Sequence, residues 1–287
     1  MSQKNPSGTN PGTDRWAPAL FVIACCLLLA GFFSGLVRAA AVHESNSRQL
    51  SILVYHRFDA DTPASTTVTL AAFEEQLAWL AAHHVQVVPL HSLVAALRGT
   101  GPAIEGPAVA ICSDDGHQSV YSLMYPIIKR DHLPVTLFIY PSAISNASYA
   151  MTWEQLKEME ASGLVDVQSH TYWHPNFNTE RKRQNPDDFK KFVDTQLTKS
   201  RHTLEGRMGH PIDLLAWPFG IHDPELEEAA ARAGYVAAFA LDGRSVPENP
   251  DLFAIPRYMI GDRDRGTRLA ELLDLHNPNL HDDAPHR

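Results

Sequence analysis

The chain has 287 residues, and its 33 acidic and 24 basic side chains give it a formal net charge of −9 at pH 7. This balance argues against the basic surface with which nucleic-acid-binding proteins hold phosphate, so we expect no nucleic-acid partner. Residues 42–275 are enough for one large α/β domain.

The first 41 residues differ in kind from the rest. Residues 1–16 are polar and have the composition of a disordered tail, whereas residues 17–37 carry no charge. At about 1.5 Å per residue this apolar run is long enough to span a bilayer of about 30 Å. It is either an export signal, cleaved at the small residues 39–41, or an uncleaved anchor, which we favour. We therefore expect a cytoplasmic N-terminal tail and a folded domain that is periplasmic or extracellular, held at the inner membrane.

Cysteine usage fits an exported domain that has no disulfide bond. Two of the three cysteines, Cys25 and Cys26, lie in the apolar run, which leaves Cys112 alone in the folded part. Cys112 is most simply a small buried residue at the end of a strand.

Apolar runs alternate with amphipathic stretches along residues 51–275. The runs predict strands at 51–55, 85–90, 107–112, 134–140, 164–169, 214–220, 235–240 and 253–259. Helical periodicity predicts helices at 70–82, 91–98, 118–130, 153–161, 187–206, 223–233 and 266–275, with Thr69 as a cap and a capping box from Thr152 to Gln155. We expect loops at 99–107 and 176–188 and a disordered tail at 276–287. About seven strand–helix alternations indicate an α/β fold with a parallel sheet, closed as a distorted (β/α) barrel.

Two adjacent carboxylates, Asp114 and Asp115, follow the predicted strand 107–112 and precede Gly116. They lie at the carboxyl end of a strand, where α/β folds place their chemistry. Neighbouring side chains there point in different directions, so one can bind a cation while the other accepts a proton. Alone, Asp-Asp-Gly is also compatible with ordinary turn chemistry.

Two histidines, His170 and His174, follow the predicted strand 164–169 and precede Pro175. Their spacing allows two imidazoles to converge on one cation, and Asp115 is the natural third ligand because it also ends a strand. With 15 histidines in the chain, the pair alone is equally compatible with surface histidines on a polar loop.

Together these segments resemble the polysaccharide deacetylases of the NodB-homology group, carbohydrate esterase family four. The family's first motif, T-F-D-D-G, appears as residues 112–116, with Cys112 and Ser113 in place of Thr and Phe, and its second, H-[ST]-x-x-H-P, appears intact as residues 170–175. The resemblance implies that Asp115, His170 and His174 bind a divalent metal, with zinc favoured over cobalt or nickel. It also implies that Asp114 is the general base.

The first predicted strand ends at His56, in the run Ile52-Leu53-Val54-Tyr55-His56. This arrangement is similar to a permuted branch of the family that includes exported deacetylases of the biofilm polymer poly-β-1,6-N-acetylglucosamine. In that branch the catalytic histidine comes from the first strand, so the resemblance implies that His56 is the general acid. No Leu-x-His motif follows Arg257 to supply it from the C-terminal side.

The third motif of the family, R-P-P-Y-G, is altered here. Residues 216–220 read Ala-Trp-Pro-Phe-Gly, so the arginine that orients the base is absent, and Arg257 at the end of the last predicted strand is the candidate replacement. The resemblance assigns the backbone N–H of Phe219 to stabilising the oxyanion. The fourth motif is reduced to residues 241–243, which leaves Asp242 as a weak candidate.

The implied activity is metal-dependent removal of acetyl groups from an N-acetylated amino-sugar polymer, with poly-β-1,6-N-acetylglucosamine favoured. Peptidoglycan and chitin oligomers are alternative substrates, and a catalytically silent sugar-binding module is an alternative function. Aromatic side chains in strand-end loops offer a flat surface for sugar rings, or else pack in the core; these candidate substrate-binding residues are Tyr140, Trp173, Trp217 and Phe219.

Overall fold

The computed structural model describes residues 49–273. The predictions for residues 1–41 and for the tail 276–287 lie outside this range. Within residues 49–273, no helix is both long and apolar enough to cross a membrane.

Parallel strands and surrounding helices make up this part of the chain. The strands are β1 (Leu50–Tyr55), β2 (Arg57–Asp59), β3 (Thr67–Thr69), β4 (Gln86–Val87), β5 (Ala108–Asp114), β6 (Val135–Ile139), β7 (Val165–Ser169), β8 (Leu214–Ala216), β9 (Ala237–Phe239) and β10 (Tyr258–Met259). The helices are α1 (Leu70–Ala82), α2 (Leu90–Leu97), α3 (Tyr125–Asp131), α4 (Trp153–Ala161), α5 (Phe177–Arg183), α6 (Pro186–Met208), α7 (Pro224–Arg232) and α8 (Thr267–Leu272).

The main sheet is parallel and curled. Seven strands follow the order β10-β1-β5-β6-β7-β8-β9, and the short β4 pairs with β5. Ile255 forms a parallel bridge to Phe239 in β9, and Tyr258 of β10 pairs with Leu53 in β1. The short segment 255–258 therefore connects β9 with β1 and draws the two sides of the sheet together. The α/β fold predicted as a distorted barrel of about seven strands is confirmed.

Two apolar cores stabilise the sheet from opposite faces. Alternation along β5 assigns Val109 and Ile111 to a cluster with side chains of α1, α4 and α6, and assigns Ala108, Ala110 and Cys112 to a second cluster. The second cluster joins strand side chains across the curled sheet and includes Leu93 of α2. Both faces of the strands are therefore buried, as their near-continuous apolar sequence requires.

Capping residues in the sequence correctly predicted where α1 and α4 begin. The Thr69 side chain accepts a hydrogen bond from the Ala72 N–H at the start of α1, and Thr152 and Gln155 form the capping box of α4. The predicted loop at 176–188 is wrong, because residues 177–183 form α5. Asn176 caps this helix by accepting from the Thr179 N–H, and Phe177 is buried, so two anchors outweigh the polar composition that suggested a loop.

Several helices and strands are shorter than predicted. The first part of the predicted helix 118–130 is a π-helical turn at Val120–Met124, and α3 begins only at Tyr125. In the predicted strand 85–90, only the two residues of β4 form a strand. In the predicted strand 253–259, only β10 does, and Ile255 adds a single bridge. Apolar sequence marks burial, whereas strand assignment also requires a paired neighbour, which composition does not supply.

Candidate active site

Side chains at the carboxyl ends of β5 and β7 converge on one point. Asp115, directly after β5, has one carboxylate oxygen 3.7 Å from His170 Nε2 and 3.6 Å from His174 Nε2. One ligand atom from each of the three residues lies within 4.8 Å of the others. A tetrahedral ion with bonds of about 2.1 Å needs ligand atoms about 3.4 Å apart, so the set fits a divalent cation after a small contraction.

The tautomer of His170 suits a ligand. Its Nδ1 lies 2.8 Å from the carbonyl oxygen of Ala216 at the end of β8, so Nδ1–H donates to that oxygen and Nε2 keeps its lone pair. Such an outer hydrogen bond fixes the orientation of a ligating imidazole and raises its basicity. The sequence could not indicate this partner, because a backbone carbonyl leaves no trace in residue identity.

Helix α6 supports the loop that carries His174. Thr171 and His174 both have positive φ, at 63° and 62°. The Thr171 hydroxyl accepts from the His174 N–H, the Ser200 hydroxyl of α6 donates to the Thr171 carbonyl, and the Gln196 side chain accepts from the Trp173 N–H. Burial, then the neighbouring His170, lowers the pKa of His174 to about 4, so its imidazole is neutral at pH 7.

Asp114 is paired with Arg257. The two carboxylate oxygens each accept one guanidinium hydrogen bond of 2.8 Å, and Arg257 Nε donates to the Ala240 carbonyl. Both side chains are buried, with Arg257 at 0 % and Asp114 at 1 % exposure. Burial alone would raise the pKa of Asp114, but Arg257 and then His170 outweigh it and hold the value at about 2. Arg257, which comes from the segment before β10, thus occupies the place next to Asp114 that Ala216 cannot fill.

His56 extends from the end of β1 and is half-buried. Burial lowers its pKa, while the nearby Asp114 and Asp115 raise it and Arg257 lowers it. Because β1 and β5 are parallel with Tyr55 opposite Ser113, His56 and Asp114 lie side by side at the same end of the sheet. The structure therefore brings together Asp114, Asp115, His56, His170, His174 and Arg257.

Comparison with known proteins agrees with this geometry. The sequence profile of the polysaccharide deacetylase family matches residues 103–238. The chain contains a polysaccharide deacetylase domain. The matched residues include both carboxylates and both histidines of the cluster but neither His56 nor Arg257, which lie on either side of the matched range.

Named relatives of the deacetylase domain cover about two thirds of the chain. It is 27 % identical over 199 residues to a poly-β-1,6-N-acetyl-D-glucosamine N-deacetylase of Staphylococcus epidermidis, with 68 % of each chain covered. It is 26 % identical over 201 residues to the protein of the same name from Staphylococcus aureus strain MRSA252, again with 68 % of each chain covered.

Solved structures share the fold of the deacetylase domain. The deacetylase PplD of Streptococcus pyogenes, solved with acetate, has a TM-score of 0.69 at 21 % identity and covers 78 % of this chain and 97 % of its own. IcaB from Ammonifex degensii has a TM-score of 0.68 at 24 % identity and covers 78 % and 96 %. At these identities the likeness concerns the fold.

The predicted sugar-binding surface of the deacetylase domain needs one correction. Trp217 is 0 % exposed and donates its indole N–H to the Phe253 carbonyl, so it belongs to the core and that prediction is wrong. Trp173 is 42 % exposed beside His174, and Phe219 is 56 % exposed with its ring centroid 4.6 Å from that of His174. Asp242 lies at the surface near Arg244, 3.5 Å away, and contacts none of the cluster.

Tyr140 lies at the rim of the site, together with a residue that the sequence did not indicate. Its ring centroid is 5.4 Å from that of His174, and its hydroxyl lies 2.8 Å from the hydroxyl of Tyr149. Tyr149 is 43 % exposed and stacks on His117. Within residues 49–273 the large exposed apolar side chains are Tyr149, Trp173, Phe219 and Met259, and each lies at or after the carboxyl end of a sheet strand. Trp173 and Phe219 were expected at this end from the sequence, whereas Tyr149 and Met259 were not.

Proposed function

We propose that this domain hydrolyses the N-acetyl groups of a linear amino-sugar exopolysaccharide of the poly-β-1,6-N-acetylglucosamine kind. One observation carries the proposal, namely the buried Asp114–Arg257 pair directly beside a ligand-competent Asp115, His170 and His174. A binding module has no use for a carboxylate held ionised next to such a cluster. The names of the staphylococcal relatives support the choice of polymer.

Asp115, His170 and His174 would hold the divalent cation, zinc in preference to cobalt or nickel. A cation bound there supplies polarisation of the acetyl carbonyl and a lower pKa for an attacking water. The imidazole and carboxylate donor set suits these metals, and the fixed Nδ1–H of His170 keeps Nε2 directed at the cluster.

Asp114 accepts the proton of the attacking water. Arg257 bonds both of its oxygens, so it fixes the carboxylate plane and leaves the second lone pair of each oxygen for the water. His56 supplies a proton to the sugar nitrogen from another strand, since an amine leaves only when it is protonated. The backbone N–H of Phe219 donates to the acetyl oxygen as negative charge develops on it.

The aromatic rim would hold the polymer. Tyr140 and Phe219 lie against His174, and the exposed Trp173 precedes it in the chain, so these rings can stack on the apolar faces of sugar rings. A polymer needs such contacts on either side of the reacting unit.

We also place the domain outside the cytoplasm, because an exopolysaccharide is accessible there. Residues 17–37 would provide export and, if uncleaved, an inner-membrane anchor. Mass spectrometry of the protein purified from its native membrane decides between the two: an intact residue 1 supports the anchor, and a mature chain that starts near residue 42 supports cleavage.

Acetate release tests the proposed reaction. The purified chain is stripped with a chelator, given back zinc, cobalt or nickel, and assayed on poly-β-1,6-N-acetylglucosamine, chitin oligomers and peptidoglycan. We expect metal-dependent acetate release from the first polymer. Release from one of the others instead would change the substrate, and a folded, metal-loaded chain that releases none would support a silent binding module.

A further inference from the structure

The loop after β7 places two non-glycine residues in the left-handed region of backbone space. Thr171 has a φ of 63° and His174 a φ of 62°. Thr171 is β-branched, which makes a positive φ especially unfavourable, and it is 0 % exposed. A backbone strained in this way persists only where the surrounding structure holds it. The contacts that hold this loop therefore decide where the His174 imidazole lies.

A chain of three hydroxyl groups ends on the carbonyl of Thr171. The Ser200 hydroxyl donates to that carbonyl at 3.0 Å, so it accepts in its 2.8 Å contact with the Ser169 hydroxyl. Ser169 in turn accepts from the Tyr235 hydroxyl at 2.8 Å. Because each hydroxyl carries one hydrogen, the bonds run in one direction, from Tyr235 to the loop. The Tyr235 hydroxyl also lies 3.0 Å from the Leu197 carbonyl, which ties the chain to α6.

Protein encloses this hydroxyl chain. Ser169 and Ser200 are 0 % exposed, and Tyr235, which precedes β9, is 3 % exposed. A buried hydroxyl that loses its partner bears the full cost of having left water, so removing one member destabilises the arrangement of the others. The three groups therefore act on the loop as a unit.

The same turn of α6 makes two further contacts with the loop. The Gln196 side chain accepts from the Trp173 N–H, and the Lys199 ammonium lies 3.9 Å from the centroid of the Tyr172 ring. Together with the bond from Ser200, these contacts engage all three residues that separate the two histidines. One helical turn thus determines the path of the loop, and the hydroxyl chain supplies its buried part.

We propose that Tyr235, Ser169 and Ser200 are positioning residues that hold His174 where it can bind the divalent cation. The inference rests on the proposed function and deepens it. His170 is fixed separately, by its bond to a backbone carbonyl of β8, so the hydroxyl chain acts on one ligand of the three. Without the chain, the strained loop can relax, and the His174 imidazole moves away from the other two ligands.

Metal binding by the full chain tests the proposal. Ser200→Ala removes the donor to the loop, and Tyr235→Phe removes only the hydroxyl at the far end of the chain. Tyr125→Phe is the matched control, because Tyr125 is also 3 % exposed and its hydroxyl also donates to a backbone carbonyl, that of Glu158. Competition with a chelator gives the zinc affinity, and the absorption spectrum of the Co²⁺-loaded protein reports the geometry of the ligands.

We expect zinc to bind about tenfold more weakly to Ser200→Ala and about threefold more weakly to Tyr235→Phe, as outer contacts of metal ligands generally require. The double variant should lose about as much as Ser200→Ala alone, because both changes act through one chain. The Co²⁺ spectrum should change in each of these variants and not in Tyr125→Phe. A purely structural role would lower the stability of the metal-free protein to urea and leave the spectrum unchanged.

Two failures are distinguishable. Wild-type protein that binds neither zinc nor cobalt would remove the proposed function, which requires the cation. Metal binding by the wild type with an unchanged zinc affinity and Co²⁺ spectrum in folded Tyr235→Phe and Ser200→Ala would leave that function standing and overturn the role of the hydroxyl chain. If Ser200→Ala does not fold, the milder Tyr235→Phe decides by the same two measurements.

Discussion

The Asp114–Arg257 pair shows how one buried charge depends on another. Both side chains are almost fully enclosed, and both carboxylate oxygens are engaged by a single guanidinium. Removing one partner of such a pair leaves an uncompensated charge in a medium that solvates it poorly. The contact therefore affects folding stability as well as the orientation of the proposed base.

A double-mutant cycle measures this dependence. Arg257→Met should lower the free energy of unfolding by about 3–5 kcal/mol, and adding Asp114→Asn should restore part of that loss because the stranded charge is gone. Urea unfolding of metal-free protein provides the values. The exposed Arg265–Glu75 pair is the control, and Arg265→Met should cost about 1 kcal/mol or less. Additive losses at Arg257 and Asp114 would show that the pair is not coupled.

Individual site residues differed in how far sequence could predict them. Asp115, His170 and His174 come from motifs with fixed spacing, so their convergence followed from the parallel sheet. The position of Tyr149 could not be predicted, because it lies in a loop that tertiary contacts hold beside the site. The Gln118 N–H donates to the Tyr149 carbonyl. Trp217 was misplaced because an aromatic residue at the end of a strand can face the core or the solvent, and its type does not decide which.

At the scale of elements, the turn after β8 positions the Phe219 N–H. Gly220 has φ +67°, and a Cβ there would lie 2.9 Å from the backbone nitrogen of Leu241 and 2.8 Å from its Cβ. Only glycine allows this close approach.

Gly220→Ala should therefore be costly in two ways. The strained φ costs about 1–2 kcal/mol, and the clash must also displace the turn, which we expect to lower kcat more than metal affinity. Gly99→Ala is a matched control, since Gly99 has the same φ of +67° and a Cβ added there would meet no atom within 4 Å. Thermal unfolding and acetate release compare the two variants. Equal losses of activity would argue against a role for this turn.

His91 joins α2 to the amino-terminal side of the sheet. Its Nδ1 lies 3.2 Å from Asp166 in β7, and its Nε2 lies 2.8 Å from Asp213 before β8. The carboxylates of Asp166 and Asp213 outweigh burial and raise the pKa of His91 to about 10. The raised value means that folding favours the protonated imidazole.

The stability due to His91 should therefore decrease with rising pH. It is complete below the unfolded-state pKa of about 6.5 and is lost as the pH rises through about 10. The difference in unfolding free energy between wild type and His91→Gln should be largest near pH 6 and small near pH 10, as measured by urea denaturation. His202→Gln, at an exposed position of α6, should show no such trend. A difference independent of pH would rule out the charged pairs as its source.

Helix α5 shows why some elements escaped prediction. Its seven residues are mostly polar, and only Phe177 is buried, so hydrophobic periodicity had too little to detect. The long α6 was predicted within two residues at each end, because its repeated apolar positions extend over many turns.

At the scale of the whole molecule, the parallel sheet turns separate motifs into one site. The site residues 56, 114–115, 170–174 and 257 are far apart in sequence, yet each lies at the end of a paired strand or close beside one. The fold was predictable because alternating strands and helices admit few right-handed arrangements. Arg257, in the segment before β10, pairs with Asp114 across the sheet, whereas the family motif would place an arginine at the position of Ala216 in β8.

Metal content and acetate release, measured on the same samples, separate the role of the metal ligands from that of the base. Wild-type protein should hold about one divalent ion per chain and release acetate from poly-β-1,6-N-acetylglucosamine. Asp114→Asn should keep the ion and lose acetate release, and His174→Ala should lose both, with circular dichroism confirming that each is folded. Acetate release by His174→Ala without the ion, or by Asp114→Asn at the wild-type rate, would contradict the proposed metal-dependent deacetylation.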